Sequence, residues 1–214
     1  MRDQDGCLIL SGMPGAGKST VAPLVAARYP RAAHISGDVL SYMVVQGRVG
    51  FNGRPAEEAR RQLRLCVRNM CDLAANFADN GVFPVVEYTI DNRRMLDAMV
   101  EMLRPRPVMF VALFPPLEVC RRRNATRDPG HRVDFDFAPH YRAMREDLGG
   151  VGWWLDTAAL TPEETADLIR ARAHEEALLR RSGTDAPEPA RAMNGASPAP
   201  GMDGASGPFS ATIR

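Results

Sequence analysis

The most specific chemistry in the chain lies in Gly12-Met13-Pro14-Gly15-Ala16-Gly17-Lys18-Ser19, which fits the pattern GxxxxGK[ST] between an apolar strand and a helix. In such a loop, glycines let backbone N–H groups and a helix N-terminus close around a nucleotide phosphate chain. The lysine brings a point charge to the β- and γ-phosphates, and the following hydroxyl suits Mg²⁺. Lys18 is the only lysine among 27 basic residues; all the others are arginine. A planar guanidinium fork is a poor replacement for a compact ammonium inside so tight a loop.

A phosphate-binding loop serves kinases, switch GTPases, motors and transporters, so other residues must choose among them. Guanine recognition through NKxD is excluded because no second lysine exists. The long apolar strand ending in DE that motor ATPases use is also missing, which leaves a small kinase. Such an enzyme needs a base beside the acceptor hydroxyl, and Asp38 follows the second expected strand, at the sheet edge where ligands collect. The alternative for Asp38 is capping of the helix after it, a role Ser36 could share. Glu87 ends an apolar strand at the same edge and is the candidate, with Ser19, for holding Mg²⁺. With Thr89, Glu87 could instead cap a helix or fix a loop. Asp156 and Thr157 follow the last strand as candidates for the adenine pocket, or as caps of the next segment.

These residues require a frame of parallel strands. Short apolar runs alternate with helical patterns, so the expected fold is α/β: a three-layer α/β/α sandwich around a mainly parallel five-stranded sheet. Strands are expected at 7–10, 32–35, 82–89, 107–114 and 153–155. Helices are expected at 18–29, 39–46, from Pro55 to about 80, at 91–103, 117–124, 139–148, and from a Thr161-Pro162-Glu163-Glu164 capping box towards Arg180. The strands at 82–89 and 107–114 read as central because they are almost continuously apolar. Met95, Met99 and Met102 have helical spacing and read as core, as do Trp153 and Trp154, one of which could face the nucleotide. Residues 1–180 form the expected domain. Residues 181–214, rich in Pro, Gly, Ala and Ser, read as a disordered tail.

The 214 residues suit one core, and 45% hydrophobic with 25% charged residues is an ordinary globular balance. The net charge of +1 gives no general field for nucleic acid or anionic membrane. Four cysteines without CxxC or zinc spacing, scattered histidines, and the lack of a signal-peptide pattern or a spanning apolar run point to a cytoplasmic protein with reduced thiols. No membrane or structural metal partner is expected.

The ordered set GMPGAGKST, HISGDVLS, GVFPVVEYTI, PPLEVCRRRNATRD and LDTAALTPEETADLI resembles the small P-loop kinases, a nucleoside-kinase-like group with an AAA-type ATP-binding domain. Chloramphenicol phosphotransferase, polynucleotide 5'-kinase and gluconate- and shikimate-kinase-like enzymes belong to this group, and the resemblance runs from about Leu8 to Leu179. It implies ATP and Mg²⁺ as cofactors, Gly12 to Thr20 as the nucleotide-binding stretch, and Asp38 as general base. It also implies an arginine lid, RRRNATR, with Arg123 and Arg127 on the phosphates and Arg132 as a third candidate. Members more often carry Asp near the Glu87 position. The segment 40–64, with Tyr42, Arg48, Phe51, Asn52 and Arg54, is expected to select the acceptor.

The leading expectation is a kinase phosphorylating a hydroxyl of a small molecule, either a metabolite or an antibiotic. One alternative is a polynucleotide 5'-hydroxyl kinase, disfavoured by the near-neutral charge and by 7% aromatics. Another is a non-catalytic ATP-binding regulatory module whose tail recruits a partner. Oligomeric state and nucleotide preference are not encoded in any motif.

Overall fold

The computed structural model describes residues 5–128 and 132–179, and the tail expected at 181–214 lies outside them. Five strands, β1 (Cys7–Gly12), β2 (Ala32–Ser36), β3 (Phe83–Glu87), β4 (Val108–Leu113) and β5 (Trp153–Leu155), form a sheet in the order β2-β3-β1-β4-β5. Every strand pair is parallel, so the sheet is wholly rather than mainly parallel. β1, β3 and β4 are buried at every position, as their unbroken apolar runs require of strands covered on both faces. Pro84 is tolerated inside β3 because the ladder to β1 begins one residue later, at Leu8 opposite Val85. Pro84 itself faces only Ala33 of β2.

The helices are α1 (Lys18–Ala26), α2 (Gly37–Tyr42), α3 (Ala56–Asp79), α4 (Arg93–Leu103), α5 (Leu117–Ala125), α6 (Ala138–Leu148) and α7 (Pro162–Glu176). α1 packs with α7, and a 2.6 Å bond from Arg28 Nε to Asp167 ties their ends together; α3 packs with α4. Helices thus cover both sides of the sheet. The capping box at Thr161 forms as its sequence implies: Glu164 N donates to Thr161 Oγ1 at 3.1 Å and Thr161 N to Glu164 Oε2 at 2.8 Å.

Three helices differ from expectation. α2 spans Gly37–Tyr42 rather than 39–46, α1 ends at Ala26 rather than Tyr29, and α7 ends at Glu176, short of Arg180. α2 has few buried apolar positions to extend it, and Tyr42, Met43 and Val45 are exposed. Tyr29 leaves helical geometry to stack on Phe83 with ring centroids 4.1 Å apart.

From β1 the chain crosses to β2 at one edge and returns through β3. It then passes to the other side of β1 for β4 and β5. The strand order therefore reverses at β1, and the crevice beyond the carboxyl ends of the strands opens there.

Candidate active site

β1 ends in the loop that wraps back to start α1 at Lys18, and backbone geometry explains its glycines. Gly17 is the N-cap of α1 at φ 105°, and Gly15 has φ 80°, both in the left-handed region. A Cβ on Gly15 would also overlap the carbonyl of Cys120 in α5, so the loop lies against that helix with no room for a side chain. This narrow cradle at a helix start fits a phosphate chain.

Lys18 is buried, and its Nζ donates to the Met13 carbonyl at 3.4 Å. Burial pushes its ammonium below the ordinary lysine range, while the charges of Glu87 and Asp38 pull the other way. Ser19 Oγ donates to Glu87 Oε1 at 2.8 Å, and His34 Nε2 lies 3.3 Å from Glu87 Oε2. Glu87 is 2% exposed. Burial alone raises its carboxyl, but the bond from His34, the charge of Lys18 and the bond from Ser19 outweigh this and hold it below the usual carboxylate range. Ser19 and Glu87 thus offer adjacent hard oxygens beside the cradle. That suits Mg²⁺, which takes few protein ligands and completes its shell with phosphate and water. Among the described residues no larger cluster of His, Cys, Asp and Glu forms a metal site.

Two clefts meet at this point. The first, about 310 Å³, is lined by Gly15 to Val21, Arg123, Arg127, Thr157, Leu160, Pro162 and Thr165. The second, about 740 Å³, holds Asp38, His34, Glu87, Thr89, Arg132 and the aromatic residues discussed below. Lys18, Ser19 and Arg127 line both. Arg123 lines the first alone; it donates to the Thr157 carbonyl at 2.8 Å and approaches Thr157 Oγ1 at 3.4 Å, and that hydroxyl reaches the Ala16 carbonyl at 3.4 Å. α5, the loop after β5 and the phosphate cradle are laced together by this chain of contacts.

Asp38 sits in the first turn of α2, exposed and facing the second cleft. The N-cap of α2 is Ser36, and neither residue makes a side-chain cap there, so the capping alternative for Asp38 is not realised. Gly37 makes the placement sterically feasible, since a Cβ there would overlap the Tyr88 ring and press on Met70 Sδ.

The candidate residues are divided between the two clefts and their surroundings. Met13 and Pro14 line the second cleft, not the first, and Gly12 lines neither. Gly12 instead packs against the Leu113 carbonyl, where a Cβ would not fit, and its own carbonyl accepts from Thr89 Oγ1 at 3.2 Å. Asp156 accepts from Ala158 N at 2.8 Å as a loop cap, while Thr157 alone of that pair lines the first cleft. Neither tryptophan lines a cleft: Trp154 packs edge-on to Phe114 with centroids 4.7 Å apart, and Trp153 lies under Arg172. Met99 is core, and Met95 and Met102 are partly buried against it, with Met95 also lining the second cleft. From the segment 40–64, Tyr42, Arg48 and Phe51 reach that cleft, whereas Asn52 and Arg54 do not. His34 and His140 were not among the candidates; the available signal for His34 was one polar side chain in the otherwise apolar start of β2.

Glu87→Gln preserves shape while removing charge. The Mg²⁺ concentration giving half-maximal activity is expected to rise about 10–100-fold, the range for a residue that orients a metal ligand. Stability supplies a second readout. Because the folded carboxyl is depressed, its contribution is full at neutral pH and disappears as pH falls through that lowered value. Wild type should lose more stability below the ordinary carboxylate range than Glu87→Gln, as followed by thermal melts across pH. Equal acid sensitivity and an unchanged Mg²⁺ requirement would remove Glu87 from this role.

Residues 8–146 match the AAA domain family. No curated protein matches the chain. Among solved structures, a sugar kinase from Janibacter sp. is 19% identical with a TM-score of 0.57, covering 78% of this chain and 93% of that one. The Deinococcus radiodurans tunicamycin resistance protein is 20% identical with a TM-score of 0.57, covering 82% and 99%. Shikimate kinase from Acinetobacter baumannii is 17% identical with a TM-score of 0.53, covering 78% and 92%. At these identities the likeness is one of fold.

Proposed function

The chain belongs to the AAA domain family and has the fold of the small P-loop kinases, and from that premise we propose that it is an ATP- and Mg²⁺-dependent kinase transferring the γ-phosphoryl group to a hydroxyl of a small molecule. One observation carries the reading: two clefts share Lys18, Ser19 and Arg127, and Asp38 lines the second of them but not the first. A phosphoryl donor in the first cleft and an alcohol in the second would meet at that shared boundary.

In this reaction the acceptor oxygen bonds to the γ-phosphorus as the bond to the β–γ bridging oxygen breaks, and ADP leaves. Asp38 takes the hydroxyl proton. Lys18 and Arg127 stabilise charge on the moving phosphoryl group, and Arg123 braces the nucleotide side through Thr157. Ser19 and Glu87 would hold Mg²⁺, whose charge offsets that of the phosphate chain when bound. A donor pocket of about 310 Å³ beside a larger acceptor pocket also favours a compact acceptor over a long polymer groove.

The test is mass spectrometry of a panel of metabolites and antibiotics incubated with the full chain, ATP and Mg²⁺. A compound gaining one phosphoryl group is expected, with the gain lowered about 100-fold or more over the same time in Lys18→Met protein. Transfer only to an oligonucleotide 5'-hydroxyl would replace the small-molecule reading. Tight ATP binding with no transfer to any acceptor would leave the regulatory alternative.

A further inference from the structure

One wall of the second cleft is built around an imidazole whose orientation the fold fixes. His140 lies in the first turn of α6, and its Nδ1–H donates to Asp91 Oδ2 at 3.2 Å. Asp91 is itself held, since its Oδ1 accepts from Asn92 Nδ2 at 2.8 Å. Asn92 in turn caps α4, its Oδ1 accepting from Met95 N at 2.9 Å. The imidazole is thereby anchored to a helix N-terminus through two side chains. An ionised carboxylate accepts, so in the neutral imidazole the proton sits on Nδ1 and Nε2 is the acceptor. Among the described residues Nε2 has no hydrogen-bond partner, and it is not a buried atom.

Two phenyl rings frame it. Phe51 approaches His140 with centroids 5.4 Å apart and planes at 64°, and Phe135 does so at 6.0 Å and 78°. Both are substantially uncovered, at 48% and 40% exposure. Exposed rings concentrated in one polar-rimmed cleft mark a binding surface rather than scattered surface apolarity. At about 740 Å³ the cleft is also of the size that holds drug-sized ligands, about 300–1,000 Å³, and is larger than a compact polyol needs. Arg48, on the same segment as Phe51, lies over the Tyr42 ring at 4.2 Å, and both residues line this cleft.

We propose that Phe51, Phe135 and the Asp91-held His140 form the acceptor-selecting site, and that the acceptor is a hydroxyl compound bearing an aromatic or heteroaromatic ring. The ring packs on Phe51 and Phe135, and a donor group on it meets His140 Nε2. The hydroxyl to be phosphorylated then points towards Asp38; this last part rests on the kinase reading above.

Matched pairs test the site: phenyl β-D-glucoside against methyl β-D-glucoside, and uridine against ribose, titrated into the full chain with Mg²⁺ and a non-hydrolysable ATP analogue. The ring-bearing member is expected to bind about tenfold more tightly or better in at least one pair. In the double variant Phe51→Ala, Phe135→Ala that ratio should fall below about threefold, and in His140→Ala it should fall for uridine, which carries a donor on its ring. The ratio is the readout because general loosening of the cleft weakens both members alike. No ring preference in any pair, no binding of either ring-bearing compound, or a preference that survives the double variant would overturn the proposal. The two readings separate when ATP replaces the analogue. Transfer to ring-free alcohols without ring preference defeats the aromatic acceptor and leaves the kinase standing; ring-selective binding with no transfer does the reverse.

Discussion

Asp38→Asn is expected to lower phosphotransfer about 10²–10⁴-fold, the range for losing a positioned general base, while leaving ATP affinity within about twofold. The separation follows from placement. Asp38 lines the second cleft and not the first, so in the proposed reaction it has no direct hold on ATP. Fold stability should change little, because Asp38 is exposed and makes no cap; what it gives up is a favourable position in the first turn of α2, worth about 0.3–1 kcal/mol. Single-turnover rates with a compound from the acceptor panel, beside ATP titration and a thermal melt, resolve these quantities. Near wild-type transfer in the Asn variant would transfer the base role to another group in that cleft. A matched loss of ATP affinity would instead mean that Asp38 acts on the cradle through Lys18, whose ammonium feels its charge.

The order of elements and the phosphate cradle could be read from the sequence because both are local. Unbroken apolar runs such as Val108–Leu113 announce strands covered on two faces, and Gly12 to Ser19 must form a tight turn whatever surrounds it. The Thr161 capping box is equally self-contained. Less local features escaped. The length of α2 depends on how little of it the rest of the protein covers, and Gly37 is demanded by Tyr88, far along the chain. The split of the Asp156-Thr157 pair into a cap and a cleft residue depends on where Ala16 and Arg123 lie. Met95 and Met99 share a helical spacing and both pack on the core, yet Met95 also borders the second cleft, which spacing alone does not reveal. The Asp91–His140 and His34–Glu87 pairings join separate elements, and no spacing rule links such residues in advance.

The second large effect is at Lys18, where Lys18→Met should lower phosphotransfer by about 10²–10³-fold or more, as loss of one preorganised charge at a transition state does. The same substitution should not lower the melting temperature of the nucleotide-free protein. Burial pushes the Lys18 ammonium below its ordinary range even with Glu87 and Asp38 nearby, so the folded protein holds that charge at a net cost. The sign follows from the direction of the shift. A lysine with a depressed folded pKa is penalised by folding while it is protonated, and that penalty is full below the folded value and eases as pH rises through it. A methionine of similar length carries no such penalty. ATP with Mg²⁺ should raise the melting temperature of wild type, because a ligand that binds only the folded state stabilises it, and should do so far less in the variant. Melts with and without nucleotide, set beside initial rates, therefore distinguish a functional charge from a structural one. If Lys18→Met melted well below wild type without nucleotide, the ammonium would be holding the loop through the Met13 carbonyl, and its loss of activity would no longer report on the phosphates. Lys18→Arg sharpens the point: charge is retained, but the planar fork does not fit beside Ser19 and Glu87, so activity should fall nearly as far as in the methionine variant. Recovery of activity with arginine would show that charge alone suffices there, and the single lysine in this arginine-rich chain would lose its mechanistic meaning.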